Sequence, residues 1–166
     1  MEIDALFERS IGPLAASLRG AVQAALNEYE KLVGSGQKGE LAHIYISFLL
    51  SSVLCRLPWL RIDLYDENDR LDTCGCSVGW DVPQISEQLY RDADVAGIQQ
   101  DEKPKDYQIE QAWLSASGEY IEAFERFLPT VICESGMSRD LGCRWHFGQL
   151  LGNTKTVFGG NEDAVL

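Results

Sequence analysis

At 166 residues, with 45% of them apolar, 24% charged and only 5 prolines, the chain has the composition of one compact soluble domain. A fold of this length buries roughly 70% of the surface its unfolded form exposes, so a core can form without disulfide or metal staples. Its 26 acidic and 14 basic side chains leave a formal net charge of -12, which opposes binding to nucleic-acid phosphates and to anionic membrane surfaces.

The N-terminus, Met1 to Arg9, is acidic and amphipathic. It lacks the basic segment, apolar stretch and small-residue cleavage site of a secretory signal, so a cytoplasmic location is expected. Over residues 2–33 apolar side chains recur at spacings of three and four: Ile3, Leu6, Phe7 and Ile11, then Leu14, Leu18, Val22, Ala25, Leu26, Tyr29 and Leu32. This predicts helix in two pieces, broken and restarted at Gly12-Pro13, because proline lacks the N–H of a helix interior but suits a first turn. Gly34 to Gly39 ends the second piece.

From Glu40 the period becomes two. Ile44, Ile46, Phe48 and Leu50 alternate with His43, Tyr45, Ser47 and Leu49, and apolar residues on both sides predict an interior strand. Leu57-Pro58 interrupts it. Trp59 to Tyr65 then alternates again, Asp66 to Asp69 makes a polar turn, and Leu71 to Trp80 reads as a third strand, so 40–80 is an antiparallel meander. The longest apolar run, Ile44 to Leu57, is interrupted by Ser47, Ser51, Ser52 and Arg56, short of the ~20 residues a membrane helix needs.

Val82-Pro83 opens a helix over 83–93 with Ile85, Leu89 and Tyr90, and 94–106 reads as a loop. The cleanest helix follows, from Tyr107 to Leu128. Its apolar face is Ile109, Ala112, Trp113, Ala116, Tyr120, Ala123, Phe124 and Phe127, and Pro129 is expected to end it. Past residue 135 only Arg144 to Leu151 and Thr154 to Phe158 suggest short elements, and 159–166 reads as a frayed tail. The expected fold is α+β: a single domain over 1–158 in which an antiparallel sheet of about three to five strands packs against two or three helices.

No chemical motif is complete. Cys74, Cys76, Cys143 and His146 would make a Cys₃His set, with the C-x-x-H spacing of structural zinc sites at 143 and 146. In a strand, however, residues 74 and 76 stand about 6.6 Å apart, whereas two sulfurs on one zinc lie within about 4 Å. The cysteines are therefore read as reduced thiols that act as small apolar residues in the core, and neither metal nor cofactor is expected. A thiolate enzyme would pair Cys133 or Cys143 with His146 or His43. Cys133 is expected just past a helix C-terminus, where the dipole disfavours an anion, and Cys143 meets His146 only if that segment is helical. Gly34 to Gly39 resembles a phosphate loop in composition, but a helix C-terminus leads into it, opposite to what an anion needs. The acidic turn from Asp63 to Asp72 fails as a calcium loop, since Arg70 and Leu71 occupy a ligand position and the glycine position.

Two sets of residues are candidates for binding. His43, Tyr45, Arg61, Asp63 and Tyr65 lie on the polar sides of two strands expected to be neighbours, and matching registers would gather them into a polar and aromatic pocket or partner face. The second set follows the charge. Residues 81–126 hold 11 acids and 4 bases, more than half of the total excess. A basic partner is therefore expected to contact Asp92, Asp94, Asp101, Glu102, Asp106, Glu110, Glu119, Glu122 and Glu125. The function expected from these features is that of a non-catalytic acidic protein that binds a basic protein, as an inhibitor or immunity protein does. The alternatives are a small ligand- or zinc-binding domain, or a small cysteine- and histidine-dependent enzyme.

Overall fold

In the computed structural model, residues 3–49, 51, 55, 60–71, 74–98 and 105–159 are described. They form α1 (Ile3–Gly34), β1 (His43–Phe48), β2 (Leu60–Tyr65), a 3-10 turn (Asp69–Leu71), β3 (Ser77–Trp80), α2 (Pro83–Ile98), α3 (Asp106–Ser135), α4 (Met137–Leu141), β4 (Arg144–Gln149) and β5 (Thr154–Phe158). None of the described helices is long and apolar enough to cross a membrane.

Both prolines expected to interrupt helices lie inside them. α1 is one helix with Pro13 on its exposed side, and α3 continues through Pro129 to Ser135. A proline in a helix interior costs about 3 kcal/mol through a lost hydrogen bond and a crowded carbonyl. In each case the buried stripe runs straight past it: Leu6, Phe7, Leu14, Ala15 and Leu18 in α1, and Phe124, Leu128, Val131 and Ile132 in α3. Burying those side chains outweighs the local defect. α3 stops at Gly136, whose φ of 76° lets its N–H return to the Cys133 carbonyl at 3.0 Å. Cys133 therefore sits within the helix, exposed, rather than past its end.

Two further expectations change. The third strand covers only Ser77–Trp80; Leu71 closes the 3-10 turn, and residues 72 and 73 lie outside the described residues. The helix expected over 83–93 continues to Ile98, so 94–98 of the expected loop is helical; 99–104 lies outside the described residues, as does the expected tail beyond Gly159.

The sheet order is β3-β2-β1-β4-β5. The first three strands form the expected antiparallel meander with β1 in the interior, and β5 pairs antiparallel with β4. β1 and β4, however, run parallel. A parallel neighbour requires a long crossover, and α2, α3 and α4 supply it.

α1 packs on α3 and on β2 and β3, with α2 against α3. Because side chains alternate along a strand, Ile44, Ile46, Leu60, Ile62, Leu64, Trp145 and Phe147 all enter the core with the helices. Phe124 is central to that core. Its ring meets Phe7 edge-on at 4.9 Å, Trp80 edge-on at 6.0 Å and Phe147 in a stack at 6.1 Å.

The β4–β5 pairing depends on Gly148. A Cβ there would fall 2.2 Å from the Asn153 carbonyl oxygen and 2.8 Å from the Thr154 Cα, both backbone atoms that cannot swing away. Gly148→Ala is expected to destabilise the fold by about 3 kcal/mol, read as a lower urea midpoint with unchanged slope. A midpoint equal to that of the unmodified chain would contradict this packing.

Candidate functional site

The strand registers decide what meets on the face of the sheet turned away from α1 and α3. Between β1 and β2, His43 stands opposite Tyr65, Tyr45 opposite Asp63 and Ser47 opposite Arg61. All five residues of the expected polar patch therefore share one face of two adjacent strands. The parallel pairing then sets His146 beside Tyr45, and β5 sets Thr156 beside His146. A single row, Asp63, Tyr45, His146 and Thr156, crosses four strands.

Side-chain contacts tie the row together. The Tyr45 and His146 rings stack at 4.3 Å, and the Arg70 guanidinium carbon lies 4.5 Å from the centre of the Tyr45 ring. Tyr65 meets Tyr45 edge-on at 5.6 Å. The Tyr45 hydroxyl donates to Asp69 Oδ2 at 3.0 Å; burial, helped by this acceptor, pushes its phenol up to about 12, so it remains a donor. Asp69 has a φ of 53°, uncommon for a residue with a side chain. Arg70 donates to the Gly152 carbonyl and to Thr154 Oγ1, both at 3.1 Å, and so fastens the turn after β2 to the β4–β5 hairpin.

His43 Nδ1 and His146 Nε2 are 3.0 Å apart, and His146 Nδ1 is 3.2 Å from Thr156 Oγ1. One ring must donate to the other, and Thr156 can donate or accept at the far end. Burial holds the His146 imidazole down at about 4; His43, Arg70 and Arg144 act in the same direction and Asp69 opposes them. Because the folded value lies below the ordinary 6.5, the unfolded chain binds a proton there that the native protein refuses. This contribution is complete above about pH 6.5 and is lost as the pH falls towards 4, reaching roughly 3 kcal/mol. Urea melts between these limits should show a shallower loss of stability for His146→Asn than for the unmodified chain. Parallel pH dependences would contradict the buried neutral histidine.

At the other end of the row, Asp63 is 3% exposed, and burial raises the pKa of its carboxyl against the opposing pull of Arg61 and Arg70. Arg61 donates from Nε at 2.9 Å and from Nη2 at 2.6 Å, both to Oδ1. Oδ2 is buried and has no hydrogen-bond partner among the described residues, and the same holds for Asp69 Oδ1.

The acidic set falls on several surfaces. Asp92 is an internal strut between α2 and α3: it accepts from Tyr120 Oη at 2.5 Å and from Gln88 Nε2 at 2.8 Å. Glu125 pairs with Lys155 at 2.5 Å, and Asp94 is half-buried. Asp101 and Glu102 lie outside the described residues. Asp106, Glu110, Glu119 and Glu122 are exposed along α3. Nearby, Tyr107 and Leu114 are 56% and 37% exposed, and a shallow cavity of about 230 Å³ is lined by Asp106, Ile109, Glu110 and Trp113.

The cysteine and histidine candidates separate. Cys143 and Cys76 join the core, and Cys76 Sγ lies 3.4 Å from the Ala25 carbonyl oxygen. Cys74 Sγ lies 3.5 Å from Gln37 Oε1. His146 is on the opposite face of β4 from the core, because the segment is a strand and not the helix that would bring Cys143 to it. Burial also pushes the Cys143 thiol up to about 11, away from the thiolate that a nucleophile needs. Among the described residues, no three histidine, cysteine or carboxylate side chains are grouped so as to hold a metal ion, and none of the five cysteines is in a disulfide.

His146, Thr156, Asp69 and Arg70 were absent from the pocket expected from sequence. The alternation of Arg144, His146 and Gly148 with Trp145 and Phe147 could have placed His146 on a polar sheet face. Nothing in the sequence reveals that β4 lies beside β1. No protein-family model, no curated protein and no solved structure matches the chain.

Proposed function

We propose that this chain is a non-catalytic acidic protein that binds a basic protein partner, in the manner of an inhibitor or immunity protein. The observation that supports this most is the solvent side of α3. Along α3 Asp106, Glu110, Glu119 and Glu122 are exposed, none of them in an ion pair among the described residues, and Tyr107 and Leu114 of the same helix are exposed as well. Unpaired carboxylates raise the rate of encounter with a cationic surface, and large apolar side chains among them supply contact area once it is reached. The contact set is accordingly smaller than the sequence suggested, since Asp92 and Glu125 are engaged within the fold.

Immobilised protein incubated with a lysate of its source cells tests the proposal. A protein of high isoelectric point should be retained at about 50 mM salt and released at about 500 mM, where charges are screened within a few ångströms. It should not be retained by the chain carrying Asp106→Asn, Glu110→Gln, Glu119→Gln and Glu122→Gln. Retention of no basic protein, or equal retention by the substituted chain, would overturn it.

A further inference from the structure

We infer that the cavity at the start of α3 receives one arginine side chain of the partner, its guanidinium held by the carboxylates of Asp106 and Glu110 and its methylene stem by Ile109 and Trp113. This rests on the reading given above, that a basic protein meets α3, and names the group that anchors it. The cavity measures about 230 Å³ and is lined by these four residues. Sites that hold a whole small molecule run to about 300–1,000 Å³, so this one suits a single side chain.

The apolar part of the cavity is a continuation of the core. The buried stripe of α3 passes through Tyr120, Phe124 and Leu128 and extends back, at the same spacing of three and four, through Ala116 and Trp113 to Ile109. From Tyr120 onward the stripe is enclosed, and Phe124 meets rings of α1, β3 and β4. Ile109 and Trp113 are only half-buried, so apolar area stays accessible to the stem of a long side chain. Asp106 and Glu110 stand four residues apart on the same helix face, a spacing that puts Cβ atoms about 6 Å from each other. Both are exposed, and among the described residues neither forms an ion pair, not even with Lys105 next to Asp106 in the chain. The positive end of the helix dipole, equivalent to roughly half a charge, opposes a cation here, but two full negative charges outweigh it. Arginine fits this set better than lysine. Its planar guanidinium offers donors to two carboxylates at once and, being weakly hydrated, lies readily against an indole. Tyr107 and Leu114, exposed three residues before Glu110 and four after it, add apolar contact for the residues that flank the arginine.

Titration of the whole chain with the peptide N-acetyl-Gly-Arg-Gly-amide, followed by NMR, tests the cavity without the partner. The Trp113 indole and Ile109 methyl signals should shift and saturate. Affinity should fall at least about tenfold for the citrulline peptide, which keeps the shape without the charge, and by a smaller factor for the lysine peptide. Asp106→Asn and Glu110→Gln, both at exposed positions, should each weaken binding by about threefold or more. Glu119→Gln, about two and a half turns beyond Glu110 and outside the cavity, should leave it unchanged. Saturable shifts at Trp113 support the cavity whether or not the lysate yields a basic protein, so the two readings fail separately. No shift at Trp113 or Ile109 with about 20 mM peptide, equal binding of the citrulline peptide, or an equal loss from Glu119→Gln would overturn the inference and leave the capture of a basic protein by α3 to stand or fall by itself.

Discussion

Phe124→Ala is expected to remove about 3–5 kcal/mol of folding stability, the largest effect of any single substitution considered for this chain. The ring is 1% exposed and touches aromatic rings from α1, β3 and β4, so its loss opens a void bordered by three elements at once. Those elements are fixed by the rest of the core and cannot all collapse into the gap, which places the cost towards the upper part of that range. Phe124→Leu keeps most of the volume and loses the edge-on contacts, for an expected cost of about 1.5 kcal/mol. Chemical unfolding of the two variants distinguishes a filled core position from a replaceable one. A loss below about 1 kcal/mol for the alanine variant would contradict the packing described, since such a value is typical of substitutions that leave no cavity.

Replacing the four free carboxylates of α3 with amides is expected to slow association with a basic partner by about ten- to a hundredfold while leaving the fold intact. The separation of effects follows from position. Asp106, Glu110, Glu119 and Glu122 are exposed and form no ion pairs among the described residues, so their neutralisation changes stability by about 0.5 kcal/mol or less at each site. Asp92 behaves differently despite its place in the same acidic segment. It accepts the Tyr120 hydroxyl between α2 and α3, so Asp92→Asn should lower stability and affect partner affinity only through the fold. A substituted chain that associates as fast as the original would reduce the net charge of -12 to a contribution to solubility.

The contrast between Asp92 and Glu110 shows where the sequence was informative. Charge counting marks the acidic segment but cannot tell a carboxylate facing a tyrosine on the next helix from one facing water. Period-two alternation around His43 and Asp63 was enough to align five polar side chains, because β1 and β2 are consecutive and their register follows from the pattern. His146 belongs to the same row, but it arrives there through a parallel pairing between strands separated by about a hundred residues, and no local pattern encodes that contact. Asp69 and Arg70 read as ordinary turn residues. Their importance depends on the turn folding back over Tyr45, which only the tertiary structure shows.

The two prolines teach a related lesson. Local propensity places helix boundaries at Pro13 and Pro129, yet in both helices the buried stripe continues past them. Leu14, Ala15 and Leu18 keep the same side of α1 in the core, as Val131 and Ile132 do for α3. Where a local penalty of a few kcal/mol meets several fully buried apolar side chains, burial prevails. The thin apolar signal of β3 failed for the opposite reason: of the expected strand from Leu71 to Trp80, Leu71 is 87% exposed, and among the described residues only Ser77–Trp80 form the ladder with β2.

The association rate of a basic protein captured as proposed, measured as a function of ionic strength for the original and the four-amide variant, tests the central claim most directly. The rate for the original should start high at about 50 mM salt and fall at least about tenfold by 500 mM, while that of the variant starts low and changes little. Two curves that coincide across the whole salt range would contradict the account.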